Sequence, residues 1–160
     1  MEGYDEASVT SIAYDLHVEG IIEDESLKLS YLLRPNEVVF IKSKEKIKVP
    51  NDLMGRVGEK NSRIRQGLSV VGPHYYPGHE TYLYLRVQNV TSSAIKIRQG
   101  DAIAQLFFEQ LSEEPERTYA NQVDASFNNE DEYRGLSKYK DEYEKRMERV
   151  EDANKNLDER

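Results

Sequence analysis

Glu59-Lys60-Asn61-Ser62-Arg63-Ile64-Arg65-Gln66-Gly67-Leu68 opens the stretch that decides the fold, and Gly100-Asp101-Ala102-Ile103-Ala104-Gln105-Leu106 closes it. Between them run the loop Pro73-His74-Tyr75-Tyr76-Pro77-Gly78-His79-Glu80 and the segment Tyr82-Leu83-Tyr84-Leu85-Arg86-Val87-Gln88-Asn89. Glu59 to Gln66 lacks β-branched residues except Ile64, and Gly67 stands where a helix-ending glycine belongs, so a short helix is predicted there. Tyr82 to Gln88 alternates and predicts a strand. Leu83, Leu85 and Val87 share one face; Tyr82, Tyr84, Arg86 and Gln88 share the other. The aliphatic face belongs in a core. The second face is too large and aromatic to lie free in water, which predicts a contact with another subunit or a ligand.

Working outward, both flanks read as short strands punctuated by turns. Val9 to Tyr14 and Leu16 to Val18 are rich in strand formers and end at Gly20. Leu27 to Leu33 alternates and stops at Arg34-Pro35-Asn36. Glu37 to Ile41 is a short apolar strand. Lys46 to Val49 alternates up to the turn Pro50-Asn51-Asp52, and Leu53 to Gly58 follows. Leu68 to Val71, Ile95 to Ile97 and Ala102 to Phe108 complete the set. Many short strands in succession predict a mainly β barrel or sandwich with one short helix.

The chain has 160 residues, enough for one domain with a real core. Its net charge of -8 argues against a DNA or RNA partner, although a local cationic pocket for a small anion is compatible with it. There is no cysteine, which excludes disulfides and thiolate metal sites. No apolar run approaches the roughly 20 residues of a membrane span, and the acidic N-terminus lacks a signal-peptide core. The expectation is a cytoplasmic protein with no membrane partner.

Composition changes near Glu130. Arg134 to Arg160 contains no proline, and Leu136, Tyr143, Val150 and Leu157 recur every seven residues. This predicts an amphipathic C-terminal helix, read either as a lone surface helix or partly frayed tail, or as a coiled coil whose partner is a second copy or a fused or separate protein. The expected division is a β domain over residues 1–128 and a tail over residues 129–160.

Ser62 and Arg65 lie three apart and share a helix face, where a hydroxyl and a guanidinium suit a phosphate. An ordinary exposed polar helix is the other reading. His74 and His79 flank Pro77-Gly78, and no third ligand is spaced to complete a metal site with them. No metal is assigned.

Taken together, these segments resemble the dCTP deaminase and dUTPase superfamily, most closely its deaminase branch. The helix resembles a pattern like GRSSLARLGL; Ser62, Arg65, Gly67 and Leu68 match in register, while Glu59-Lys60 and Asn61 depart from it. The loop and strand resemble H-x-I-D-P-G-W-x-G followed by L-E-F-x-N, with Pro77-Gly78 and Asn89 matching. Gly100 to Leu106 resembles a fourth motif, and Ala13-Tyr14-Asp15-Leu16 a first, whose aspartate is mainly structural. Tyr119 and Tyr133-Arg134 resemble a C-terminal lid, with Glu132 in place of its lysine.

The resemblance implies a β-clip (dUTPase-like) barrel, a homotrimer with nucleotide sites at subunit boundaries, and a deoxynucleotide ligand. It implies no resident cofactor; Mg2+ would accompany a bound triphosphate. The ligand-binding residues it implies are Ser62, Arg65, Tyr76, Arg86, Gln105 and Tyr119. It does not carry catalytic residues over. The family's strand glutamate, the general base, is here Arg86, and its loop aspartate is Tyr76. A guanidinium stays protonated at physiological pH, and a phenol with pKa near 10 is a poor base. Glu80 lies six residues before Arg86, roughly 20 Å along an extended strand, and is expected to be an ion-pair partner or solvated. Three readings follow: a nucleotide- or phosphate-ligand-binding module that has lost catalysis, a divergent dCTP deaminase or dUTP diphosphatase, and a trimerising scaffold for a fused partner.

Overall fold

The structure is a computed structural model that describes residues 1–123, 125–135 and 144–149. Ten strands form it: β1 (Tyr14–Glu23), β2 (Ser26–Lys28), β3 (Ser30–Leu33), β4 (Val38–Lys48), β5 (Leu53–Glu59), β6 (Leu68–Val71), β7 (His74–Tyr75), β8 (Glu80–Asn89), β9 (Ile95–Arg98) and β10 (Ala102–Gln110). A short helix, α1 (Asn61–Gln66), joins β5 to β6. The larger sheet runs β6-β8-β4-β1-β10-β5-β7, with β2 paired to β1; β3 and β9 form a separate ribbon. The result is a mainly β, curled half-barrel.

Alternation explains most of the core. Leu83, Leu85 and Val87 of β8 are fully buried, facing Leu16, Ile21, Ile41 and Ile103 from neighbouring strands. Each such side chain contributes about 1.5–3 kcal/mol by leaving water. The sheet curls through three register shifts: at Leu16/His17 and Val18/Gly20 in β1, and between Lys42 and Lys46 in β4. Extra residues on one strand bend it and increase its twist. At the β4 shift the ladder is repaired by a side chain: the Leu83 amide donates to Ser43 Oγ at 2.8 Å. The same irregularity turns Glu45 inward, where it is fully buried and accepts from the His17 amide at 3.1 Å and meets His17 Nδ1 at 2.8 Å.

The boundaries differ from the sequence expectations in instructive ways. Glu37–Ile41 and Lys46–Val49 are one strand, β4, because the sequence across the shift reads as a break while its backbone stays extended. Leu27–Leu33 divides instead: Ser26–Lys28 pairs with β1 and Ser30–Leu33 with β9. Val9 precedes β1, and residues 6–8 form a 3-10 turn capped by the Asp5 side chain. Glu59 ends β5, so α1 begins two residues later than expected. Gly67 ends α1 as expected, in the left-handed region at φ 95°. The C-terminal heptad pattern falls largely outside the described residues; within it, residues 144–149 are helical.

The segment after β10 returns to the sheet. Tyr119 N–H donates to the Pro77 carbonyl at 2.7 Å, and a bridge pairs Thr81 with Glu130. Lys46 Nζ holds Asp131 Oδ1 at 2.7 Å, and Lys42 Nζ donates to the Asp131 carbonyl at 2.6 Å. Tyr133 then lies against Phe40 and Tyr84, with ring centroids 5.2 and 5.4 Å apart. The Tyr82–Tyr84 end of the aromatic face is therefore covered by the chain's own C-terminal segment.

Candidate functional site

The six residues singled out from the sequence fall in three places. Ser62 and Arg65 stand exposed on α1. Among the described residues Arg65 Nε reaches only Asn61 Oδ1, at 3.3 Å, which leaves the rest of its guanidinium facing outward. Gln105 lies beside this helix but is engaged: its Nε2 donates to Asp15 Oδ1 at 2.9 Å. Asp15 also receives Lys60 Nζ at 2.6 Å, which fastens the start of α1 to β1. Arg63 completes the attachment by donating to the Ala102 carbonyl at 2.7 Å. Helix α1 thus presents Ser62 and Arg65 outward because Lys60 and Arg63 hold its inner side.

The Asp15 carboxylate is the electrostatic anchor of this corner. Burial opposes its charge, but the hydrogen bonds from Lys60 and Gln105, with the Lys60 and His17 fields, outweigh burial and hold its pKa below the ordinary 3.8. A depressed carboxyl pKa contributes stability above the unfolded value and loses it as pH falls through the folded value. Asp15→Asn is therefore expected to cost about 1–2 kcal/mol at pH 7 and progressively less as pH falls through the folded-state value of the wild-type carboxyl. Urea unfolding at a series of pH values between 2 and 7 measures this; equal losses at both ends would contradict it.

Arg86 occupies the second place. On one outer row of the sheet Leu27 faces Ile22, Ile22 faces Phe40, Phe40 faces Arg86 and Arg86 faces Val71. Arg86 is exposed in the middle of this row and makes no ion pair among the described residues. Leu27 and Val71 are each 45% exposed. Glu80 is far along β8 and meets Lys48 at 3.8 Å, as expected of an ion-pair residue.

Tyr76 and Tyr119 occupy the third place, and their rings stack at 5.8 Å. His79 packs between Tyr75 and Tyr119, at 5.5 and 4.1 Å, and its Nε2 meets the Phe127 carbonyl at 2.9 Å. Burial lowers the His79 pKa below its ordinary value, with the Phe127 carbonyl opposing. These residues line a cavity of about 580 Å³ bounded by the 73–79 loop, the outer face of β4 and β8, and the returning segment. Neither Ser62, Arg65, Arg86 nor Gln105 lines it. The cavity's carboxylate, Glu130, was not singled out from the sequence. It sits in the run Glu130-Asp131-Glu132, which reads as solvated charge; only the bridge to Thr81 turns it inward. Tyr84 was placed on the correct face, but its meeting with Tyr133 follows from the path of the tail.

A curled β half-barrel with a short polar helix at one corner defines a dUTPase-like fold. A family model described as dCTP deaminase-like matches residues 3–111. The chain belongs to the dCTP deaminase-like family. It is 25% identical over 132 residues to a dCTP deaminase of Pyrococcus horikoshii, covering 79% of this chain and 85% of that protein. A dUMP-forming dCTP deaminase of Methanobrevibacter smithii is 29% identical over 94 residues, and this chain spans only 48% of its length. The native EIAV dUTPase structure superposes with a TM-score of 0.52 at 26% identity, covering 73% of this chain and 87% of that one.

Proposed function

We propose that this protein is a homotrimeric, cytoplasmic module that binds a deoxynucleotide or another phosphorylated ligand and has lost catalysis. The observation that carries the reading is Arg86. The position that resembles the family's general base holds a permanent cation, seated in a largely apolar row with no carboxylate paired to it among the described residues. Losing a general base typically removes a factor of about 100–10,000 in rate. Tyr76, at the position that resembles the loop aspartate, is stacked on Tyr119 and is a phenol.

Binding is supported by Ser62 and Arg65, which are exposed side by side on a helix anchored from beneath. Asp15 and Gln105 support that helix; they pair with each other and so act by positioning. Magnesium would arrive with a triphosphate as part of the ligand. Leu27 and Val71, exposed at the two ends of the row Leu27-Ile22-Phe40-Arg86-Val71, support a subunit contact, while Phe40 between them is already covered in part by Tyr133. A second reading, a divergent enzyme with a relocated base, is favoured by one observation: Glu130 is a buried carboxylate in the aromatic cavity.

The test is a melting screen with the deoxynucleoside triphosphates and magnesium, followed by assays of ammonia release from dCTP and pyrophosphate release from dUTP. At one hundred times the dissociation constant a ligand adds about 2.7 kcal/mol of stability. That stabilisation is expected with at least one nucleotide, to vanish in the Ser62→Ala/Arg65→Ala variant, and to come without turnover. Sedimentation is expected to report three copies. Turnover at ordinary enzymatic rates would overturn the loss of catalysis, and its disappearance in Glu130→Gln would establish the second reading. Absence of any nucleotide stabilisation would overturn the binding role.

A further inference from the structure

Residues 60–66 hold three cations, Lys60, Arg63 and Arg65. Two of them are committed inside the protein. Lys60 Nζ lies 2.6 Å from Asp15 Oδ2. Arg63 donates from Nε to the Ala102 carbonyl at 2.7 Å and from Nη1 to Gln66 Oε1 at 2.8 Å, and its Nη2 stands 3.8 Å from Asp101 Oδ1. The Lys60 and Arg63 side chains are 25% and 19% exposed, drawn in against the sheet. Arg65 differs. It is exposed, its partner among the described residues is the uncharged Asn61, and Ser62 shares its side of the helix.

Carboxylates already balance this corner. Asp15 and Asp101 face Lys60 and Arg63, and Glu59, which ends β5, accepts the Val70 amide at 2.7 Å. Three carboxylates stand against three cations, in a chain of net charge -8. To reach a ligand, Lys60 would have to leave a half-buried carboxylate unpaired, which is costly. Arg86 belongs to the outer row of β8 and not to this corner. One phosphate group carries a charge of roughly -1.5 to -2 at neutral pH, and the Arg65 fork with the Ser62 hydroxyl suits one such group. Further phosphates of a longer chain would find Lys60 and Arg63 taken and meet the field of Asp15, Glu59 and Asp101.

We propose that the Ser62/Arg65 corner is a single-phosphate site: it takes one phosphomonoester group, and a polyphosphate chain or magnesium adds nothing to its affinity. The inference rests on the reading of this corner as a phosphate-ligand site and narrows it to a substrate class. A nucleoside monophosphate is the ligand that fits, and a triphosphate docks through one of its phosphates alone. The device that sets this limit is Asp15, which withholds Lys60 from the ligand while fastening α1 to β1.

NMR titration and calorimetry on the full chain compare dUMP, dUTP, dCMP and dCTP, with and without magnesium, and use inorganic phosphate as competitor. The monophosphate and triphosphate of one base are expected to bind within about threefold of each other, with or without magnesium, and phosphate to displace both. Arg65→Ala is expected to weaken dUMP and dUTP alike, by about tenfold or more. Two variants supply a second cation. Asp15→Asn releases Lys60, and Asn61→Arg sets a guanidinium one helical turn from Arg65. Each is expected to tighten dUTP about five- to tenfold and dUMP about twofold. Asn61→Arg leaves the Asp15 bonds in place, so it decides the matter if Asp15→Asn disturbs the helix. Wild-type binding of dUTP about tenfold tighter than dUMP, or seen only with magnesium, would overturn the single-phosphate site and leave the nucleotide reading standing. No binding of any of these phosphates would overturn both.

Discussion

Asn89→Leu is expected to lower stability by about 3–5 kcal/mol, the largest loss expected of any polar residue in the molecule. Asn89 is fully buried at the end of β8 and spends its whole amide on the surrounding chain. Its Nδ2 donates to the Leu33 carbonyl at 3.0 Å and the Ser93 carbonyl at 2.7 Å. Its Oδ1 accepts the Thr91 amide at 2.9 Å and the Thr91 hydroxyl at 2.7 Å. One side chain therefore closes the turn from β8 to β9 and ties it to the end of β3. Leucine matches the volume but leaves these groups without partners, and each buried orphan costs about 1–3 kcal/mol. Asn89→Asp separates shape from donation: it keeps the acceptor and sets a negative charge against two carbonyls. Chemical denaturation of the three proteins checks this. A loss below about 1 kcal/mol for both variants would show that the corner holds without the amide.

The second large effect lies one residue contact away. Gly67→Ala is expected to cost about 2–4 kcal/mol, through two separate causes. Its φ of 95° is left-handed, which an L side chain adopts at a penalty. A Cβ there would also fall 1.9 Å from the Thr91 methyl carbon. Thr91 cannot turn aside freely, because Asn89 holds its amide and hydroxyl. The double variant Gly67→Ala/Thr91→Ser removes the methyl and keeps the hydroxyl, so it is expected to recover the packing part and not the backbone part. Neighbouring sites of this kind couple by about 0.5–3 kcal/mol. Strict additivity of the two substitutions would contradict the contact. Because Gly67 ends α1, the single variant is also expected to weaken any ligand held by Ser62 and Arg65.

Much of the architecture is readable residue by residue. The alternation of Leu83, Leu85 and Val87 with Tyr82, Tyr84 and Arg86 placed β8 and its two faces correctly, and Gly67 marked the end of α1. These succeed because side-chain parity and left-handed backbone are local properties. Errors cluster where distant pairing overrides local signs. Lys42 to Lys46 reads as a gap between strands, yet β8 pairs on both sides of it. Leu27 to Leu33 reads as one strand, yet its halves join different partners. Glu45 lies within the Lys42–Lys46 gap and is fully buried, because the register shift turns it toward His17.

The candidate site divides in the same way. Ser62 and Arg65 stand together on the exposed side of α1, as helical spacing of three requires. Arg86 was legible as a departure, since a cation in an otherwise matching motif stands out by type alone. Gln105 was read as either a phosphate contact or a part of the fold, and its amide donates to Asp15.

Local order along the chain dictates strands, turns, the short helix and a cation rather than a carboxylate at position 86, since each depends on a residue and its near neighbours. The aromatic cavity belongs to the tertiary level. Phe40, Tyr75, Tyr84, Glu130 and Tyr133 come from four separate segments, and only the return of residues 118–135 across β4 and β8 encloses them. Burial then changes what these groups are: Glu130, which reads as solvated charge, becomes a carboxyl with a raised pKa, and the Tyr75 and Tyr84 hydroxyls lie buried without partners among the described residues.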